Sequence, residues 1–254
     1  MLTPFIWAVT AALQPSGQAT ALPPHWIPTH VTLDNFRQVF DFIPFGLQIL
    51  NSIVVTAVIV VGSLAVSCLA AYPLARLEFR GRSAIFGVLL ASLMIPTQVT
   101  VIPVYLLLRY LHLIDSRTGL ILPALIQVLG IFLLRQHFRT VPREISEAAL
   151  IDGAGHLRIL FRIVLPSAAP TLSALAIFTA QQYWNDFFWP NVLLTTPSKL
   201  TLPVGVYSLQ NLYGTGSPVV IFAACSMIIV PLLVLFAFTQ RRLTEGMALV
   251  GANR

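Results

Sequence analysis

The sequence predicts an all-α membrane protein built as a bundle of six transmembrane helices, the first of them truncated. Of its 254 residues, 57% are hydrophobic and only 9% are charged, whereas about 25% of the residues of a soluble domain are charged. Residues 47–75 and 218–240 contain no charged residue, and each stretch exceeds the roughly 20 residues that a helix needs to cross a bilayer. These observations indicate an integral membrane protein.

The first predicted span is shorter than the others. Residues 1–14 would form only about 21 Å of helix against a roughly 30 Å hydrocarbon layer, so the chain is expected to begin within its first helix. A signal peptide is the competing interpretation, but the segment has neither a basic start nor a small-residue cleavage site. The other spans are predicted at 47–75, 83–108, 118–134, from the end of the 135–166 loop to about Leu194, and at 218–240.

These spans divide the chain into a truncated first span with an external connector (1–46), a transmembrane domain (47–242) and a cytoplasmic tail (243–254). The connector is rich in proline, and a short amphipathic helix is predicted at Asp34–Phe40. His25 and His30 are five residues apart, which suits neither one helical face nor a recurring zinc motif, so we interpret them as solvated loop residues.

No metal or cofactor site is predicted on this chain. Cys68 and Cys225 both lie in apolar runs and are interpreted as small core residues. The sequence contains no glycine-rich phosphate loop that ends in Gly-Lys-Ser or Gly-Lys-Thr, so any nucleotide must bind elsewhere. A membrane enzyme would need several ionisable groups at one depth, and most of the nine acids and five histidines lie in loops.

Basic residues are distributed unevenly among the predicted loops. Of the fifteen lysines and arginines, eleven lie in the loops after the second and fourth spans and in the tail; the other four are Arg37, Arg109, Arg117 and Lys199. Because short cytoplasmic loops are the more basic ones, both termini and the 135–166 loop are predicted to be cytoplasmic. No basic stripe is interleaved with aromatic residues, so nucleic acid is not an expected partner.

The 135–166 loop is the longest polar interruption between the apolar spans. Pro142 suits a first helical turn, Glu144 suits the positive end of the helix dipole, and Gly153 can adopt the left-handed conformation that ends a helix. A helix of about ten residues is therefore predicted, and a second helix should follow from Gly155 until Pro166 closes it. Its apolar side should contain Leu157, Leu160, Phe161 and Val164, opposite Arg158 and Arg162.

The residues of this loop resemble a known motif. The run from Pro142 through Glu147-Ala-Ala-Leu to Asp152-Gly153-Ala, with Ile163-Val-Leu-Pro166 behind it, is similar to the EAA loop of the permease subunits of ABC importers. The likeness is strongest to the carbohydrate-uptake branch of the binding-protein-dependent transport family, typified by the second maltose-type permease. It extends over most of the chain, including Ala71-Tyr72, Met94-Ile-Pro96, Trp184-Asn185-Asp186-Phe187, Thr201-Leu-Pro203-Val-Gly205 and Gln240-Arg241-Arg242.

The resemblance implies the type I ABC importer transmembrane fold and a permease for a sugar or oligosaccharide in the cytoplasmic membrane of a prokaryote. It implies four kinds of partner: two cytoplasmic ATPase subunits that bind the ATP, a second related permease, an external solute-binding protein and the lipid bilayer. The coupling contact with the ATPases is expected to involve Glu147, Ala148, Ala149, Leu150, Asp152 and Gly153. The alternatives are a permease for a sugar phosphate such as glycerol phosphate and a non-transporting membrane scaffold.

A candidate solute pathway is predicted from two groups of residues. Pro96 and Pro103 interrupt an uncharged span, and prolines there leave backbone carbonyls that neighbouring protein or a water-filled path must satisfy. A kinked packing helix is the alternative. Trp184, Asn185 and Asp186 place an acid beside an apolar segment, which suggests a functional site, although an interfacial aromatic belt would have the same composition.

Overall fold

The computed structural model describes residues 3–15, 30–212 and 218–231, and within those ranges the chain is α-helical with no strand. This confirms the all-α prediction. We number the helices in chain order: α1 Thr3–Ala12, α2 Asp34–Phe42, α3 Phe45–Arg76, α4 Arg82–Ser92, α5 Val101–Tyr110, α6 Arg117–Ala124, α7 Val128–Thr140, α8 Arg143–Ile151, α9 His156–Ser167, α10 Ala169–Trp184, α11 Phe188–Leu193, α12 Leu202–Leu212 and α13 Pro218–Pro231. Short 3₁₀ turns occupy Thr97–Thr100 and Pro197–Lys199.

The described residues form two units. The first contains α1, α2, the start of α3, residues 115–117 and the described chain from Trp184 onward. Its core is apolar and includes Val39, Phe45, Trp184, Leu202 and Ala223. Helix α2 is amphipathic as predicted, with Val39 buried, and the side-chain amide of Asn35 donates to the carbonyls of Ala12 (2.7 Å) and Gln14 (2.8 Å). These bonds attach α2 to the end of α1.

The second unit comprises residues 56–114 and 118–183. Its core is built from the later part of α3, from α7 and from α9, with Tyr72, Leu134, Phe138, Leu160 and Val164 among the buried residues. Close helix packing is visible at Gly62 and Gly130, where an added Cβ would meet the side chains of Leu125 and Ser67. This unit contains the 135–166 loop.

Two helical stretches in the described part of the chain are long and apolar enough to cross a bilayer, Phe45–Arg76 and Arg117–Thr140. Counting each of two bent helix pairs, α4 with the chain through α5 and α9 with α10, as one span raises the number to four. In chain order, the first three of these segments match the predicted second to fourth spans in position, whereas the last begins at His156, inside the predicted loop, and ends at Trp184, short of the predicted Leu194. The sixth is described only as far as Pro231, so the count of six spans stays a prediction.

Pro96 and Pro103 have different effects on the first bent pair. The chain bends by 93° between Ser92 and Thr97, and Pro96 directly precedes the 3₁₀ turn there. Pro103 causes no such break, because it lies in the first turn of α5, where a helix tolerates a residue without an N–H. The second bend, of 80°, falls between Ser167 and Ala169.

Candidate coupling surface

Helix α8 in the 135–166 loop begins and ends where the sequence predicts. Pro142 precedes its first residue and Glu144 lies in its first turn. At the other end Gly153 has a φ of +80°, its N–H donates to the carbonyl of Leu150 (3.0 Å), and the N–H of Ala154 donates to Ala149 (2.9 Å). This pair of bonds is a Schellman motif, in which a left-handed residue satisfies the last carbonyls of a helix. The predicted role of Gly153 in the backbone is confirmed.

One face of α8 is free of the rest of its unit. Ser146 and Ala149 are half-buried, and Ala149 packs against the core of the second unit. The helical period places Glu147, Ala148 and Ile151 on the opposite face, and all three are exposed, Ile151 to 88%. An acid beside exposed apolar side chains on a short rigid helix can dock against another protein.

Polar contacts fasten α8 and its flanks to the end of α3 within the second unit. Arg76 Nη2 donates to the carbonyl of Val141 (2.6 Å), and Arg143 Nη1 forms an exposed ion pair with Glu78 Oε1 (3.1 Å). On the far side of α8, the hydroxyl of Tyr72 lies 3.4 Å from His156 Nδ1. These contacts connect α8 and its flanking residues to the end of α3.

Helix α9 differs from its prediction in two ways. Only half of the predicted apolar side is covered: Leu160 and Val164 are buried together with Ile159, whereas Leu157 and Phe161 are 64% and 55% exposed. Pro166 does not close the helix, which continues to Ser167. A π-helical turn over Leu160–Val164 precedes the proline, and such a wider turn accommodates a residue that has no N–H to donate.

Helix α7 continues past Arg135, the predicted start of the loop. Arg135 lies inside α7 and is only 8% exposed, so the chain leaves the helix later, after Thr140. Arg135 Nε donates to the carbonyl of Leu74 (3.0 Å), and its guanidinium carbon lies 3.8 Å from the centre of the Phe86 ring. These contacts connect α7 with α3 and α4.

The candidate pathway residues fall into different units. Pro96 and Pro103 belong to the second unit, and the break at Pro96 is exposed over residues 91–99. Trp184, Asn185 and Asp186 belong to the first unit. Each group is therefore described only within its own unit.

Trp184 and Asp186 have defined structural roles. Helix α10 ends at Trp184, about ten residues before the predicted end of the fifth span at Leu194, so that prediction is wrong for the helix. Trp184 is 7% exposed in the core of the first unit, and Asp186 Oδ1 accepts from the N–H of Phe188 (3.1 Å) at the start of α11. Asn185 is exposed. A short polar side chain before a new helix explains the break.

The sequence analysis missed Asp115, which lies in the loop after α5 with a φ of +55°. Its carboxylate accepts from Lys199 Nζ (2.8 Å), from the hydroxyl of Thr196 (2.7 Å) and from the N–H groups of Thr195 and Thr196 (both 3.0 Å). The hydrogen bond from Lys199 and those from the threonines hold the pKa of this carboxyl well below its usual range. Only the pairing of two distant loops creates this cluster.

Comparison with known proteins places the chain in a family. Residues 63–248 match the model of the family described as the inner membrane component of binding-protein-dependent transport systems. The chain is 37% identical over 231 residues to the arabinooligosaccharides transport system permease protein AraQ of Halalkalibacterium halodurans, a match that covers 89% of this chain and 81% of that protein. It is 33% identical to the sn-glycerol-3-phosphate transport system permease protein UgpE of Yersinia pestis, with 97% and 90% covered.

A solved structure agrees with these sequence matches. The crystal structure of a bacterial ABC transporter involved in the import of the acidic polysaccharide alginate contains a chain similar to this one, with a TM-score of 0.85 and 26% identity. The match covers 94% of this chain and 90% of that chain. The all-helical fold, the surface helix α8 and the family match agree, and the chain belongs to the inner-membrane components of binding-protein-dependent transport systems.

Proposed function

We propose that this chain is a permease subunit of an ATP-driven ABC importer that moves a sugar or oligosaccharide across the cytoplasmic membrane of a prokaryote. The family match over residues 63–248 supports transport as the activity. The relatives that transport arabinooligosaccharides and alginate support a carbohydrate as the solute. The observation on which the mechanism rests is the exposed face of α8.

The proposal assigns ATP hydrolysis to partner subunits, because the sequence contains no phosphate-binding loop. Two cytoplasmic ATPases would bind and hydrolyse ATP, a second related permease would complete the translocation path, and an external solute-binding protein would deliver the solute. This chain would convert movement of the ATPases into movement of its own helices. It would perform no covalent chemistry, so we propose no catalytic residue.

The exposed residues of α8 suit a contact with an ATPase. Glu147 offers a charge to a cation or a backbone N–H, Ala148 permits close approach, and the apolar side chains of Leu150 and Ile151 are 43% and 88% exposed. Ala149 would contribute indirectly, because it packs inward and fixes the helix on its unit. Asp152 and Gly153 would end the helix and give the docking surface a fixed shape.

We also propose that the break at Pro96 borders the solute pathway. Irregular backbone is not tolerated against lipid, so this exposed stretch must be covered by protein or lie beside water. Pro103 would contribute only by its position on the adjoining helix. Trp184 is buried and Asp186 caps α11, so we propose that these two residues support the pathway and do not contact the solute. Asn185 is exposed, so of the three it is the one that could contact the solute directly.

A sugar phosphate is the second candidate solute, because UgpE, the relative named for glycerol-3-phosphate transport, is 33% identical over nearly the whole chain. Uptake of radiolabelled arabino-oligosaccharides and of glycerol 3-phosphate by the complete transporter, each in competition with the other, separates the two candidates. If the transporter took up glycerol 3-phosphate and no arabino-oligosaccharide, a sugar phosphate would replace the carbohydrate as the proposed solute.

The coupling role is tested with Glu147→Ala and Gly153→Asp. Loss of a charge partner at an interface costs about 2–5 kcal/mol, so Glu147→Ala should weaken ATPase association and solute uptake together. Gly153→Asp should do worse, because it opposes the positive φ and adds a charge beside Asp152. The readouts are ATPase co-purification and uptake in membranes that contain equal amounts of permease.

The matched control for lost charge is Asp41→Ala, which removes an exposed acid from α2 in the other unit. It should leave both readouts unchanged. Normal ATPase binding and normal uptake in Glu147→Ala and Gly153→Asp would overturn the coupling assignment.

A further inference from the structure

The 195–202 segment joins α11 to α12 in the first unit, and side chains from distant parts of the chain hold its backbone. At its start, Asp115 accepts the N–H groups of Thr195 and Thr196 (both 3.0 Å). Lys199 Nζ donates both to the carboxylate of Asp115 (2.8 Å) and to its carbonyl (2.9 Å). Asp115, in the loop after α5, therefore holds this segment through the N–H groups of Thr195 and Thr196 and through the side chain of Lys199.

Helix α3 holds the rest of the segment with three side chains. Gln48 Nε2 donates to the carbonyl of Pro197 (3.3 Å), and Asn51 Nδ2 donates to the carbonyls of Ser198 and Leu200 (both 2.9 Å). Ser52 Oγ accepts the N–H of Leu202 (2.8 Å), which is the first residue of α12. All three α3 residues are at most 2% exposed.

The same contact extends one turn into α12. A Cβ at Gly205 would overlap the side-chain amide of Gln48, so a side chain there would displace that amide from its present position. The buried side chains of Gln48 and Asn51 therefore fix the position of the 195–202 segment and of the first turn of α12 against α3.

We propose that Gln48, Asn51, Ser52 and Asp115 are positioning residues that hold the 195–202 segment, and with it the start of α12, in one orientation on the external face of the importer. The inference rests on the proposed function, because the external face is where a solute-binding protein would dock. The segment contains Lys199, one of the four basic residues predicted to be external. The four residues act through the segment and need not touch the solute.

The test uses the complete transporter with Asn51→Ala and a matched control, Asn35→Ala. Asn35 has the same chemistry in the same unit, since its buried amide also donates to two backbone carbonyls, but it holds the end of α1. Amide hydrogen exchange of peptides that cover residues 195–202 should rise about tenfold in Asn51→Ala and stay unchanged in Asn35→Ala, because amide exchange reports local opening.

The functional readout is the concentration of binding protein that gives half-maximal uptake, normalised to the co-purified ATPase. We expect it to rise about fivefold in Asn51→Ala and to stay at the original value in Asn35→Ala, since a fivefold change needs only about 1 kcal/mol. Unchanged exchange in Asn51→Ala, or equal shifts of half-saturation in both variants, would overturn the proposal. Equal shifts would indicate a general loss of stability.

Asp115→Asn keeps the proposal testable if Asn51→Ala does not fold. Asp115 lies in a surface loop with its side chain 22% exposed, and its replacement should speed exchange mainly at Thr195 and Thr196. Unchanged exchange at those two amides would count against the proposal. If the unaltered transporter showed no uptake that depends on a binding protein, the proposed function would fail, and the exchange data would still decide whether these residues hold the segment.

Discussion

Arg135 is one of the basic residues used to predict the topology, and it also has a structural role. Its guanidinium group stacks on the Phe86 ring, and its Nε reaches the carbonyl of Leu74. A planar guanidinium can make both contacts at once, whereas an ammonium group cannot stack. The side chain is 8% exposed, so water cannot replace either contact.

Replacing Arg135 by lysine should therefore lower the free energy of unfolding by about 2 kcal/mol, the sum expected for a desolvated cation–π contact and a charged hydrogen bond. The measurement is thermal unfolding of the purified protein in detergent. Arg139→Lys, one turn further along α7 and exposed, is the control and should change little. Equal melting temperatures for the two variants would show that the stacking contributes nothing.

Asp115 gives the stability a defined pH dependence. Its hydrogen bonds lower the carboxyl pKa in the folded protein. The stabilisation is therefore complete above the unfolded pKa of about 3.9 and is lost as the pH falls from there towards the lower folded pKa. The difference in unfolding free energy between the original protein and Asp115→Asn should be constant at neutral pH and should shrink below about pH 4. A difference that grew in acid would contradict this assignment.

At the level of the helix, an end or a break with a strong local signal, as at Gly153 and Pro96, could be predicted, whereas the end of α10 could not. Gly153 ends α8 because glycine alone tolerates a φ of +80° without strain, and that requirement is visible in the sequence. The end of α10 at Trp184 was missed, because the apolar pattern continues through residues 187–194, whereas the carboxylate of Asp186 accepts the N–H of Phe188 at the start of a new helix. The four hydrogen bonds to Asp115 depend on residues 80 or more positions away, which no local pattern reports.

Gly81 provides a matched comparison for Gly153. Both have a positive φ and open space where a Cβ would lie, so alanine at either position should cost about 1 kcal/mol of stability. We expect equal falls in melting temperature for Gly81→Ala and Gly153→Ala, but weaker ATPase co-purification only for Gly153→Ala. Equal ATPase binding by the two variants would show that the backbone shape at the end of α8 has no effect on coupling.

At the scale of the whole chain, three of the six predicted spans match described helical segments in position, a fourth overlaps its segment only in part, and orientation rests on the distribution of basic residues. The hydrophobic stretches were predictable because lipid demands long apolar helices. The division of α3 between two units was not predictable, because no feature of its uncharged sequence marks the boundary at Val55.

Cysteine labelling tests the orientation. In a background without Cys68 and Cys225, Ser198→Cys should react with an impermeant maleimide added outside intact cells, because Ser198 is exposed on the predicted external side. Glu144→Cys, exposed on α8, should react only after permeabilisation. The reverse pattern would invert the topology.

The contact between Gly205 and Gln48 restricts how the sequence of this protein can change over generations. The two positions lie 157 residues apart in the chain, yet the volume available to one is set by the other. Alanine at position 205 would require the Gln48 side chain to move or to be replaced by a shorter one, and either change would release the carbonyl of Pro197. Each single step leaves an overlap or a lost bond, so the two residues should be inherited as a linked pair.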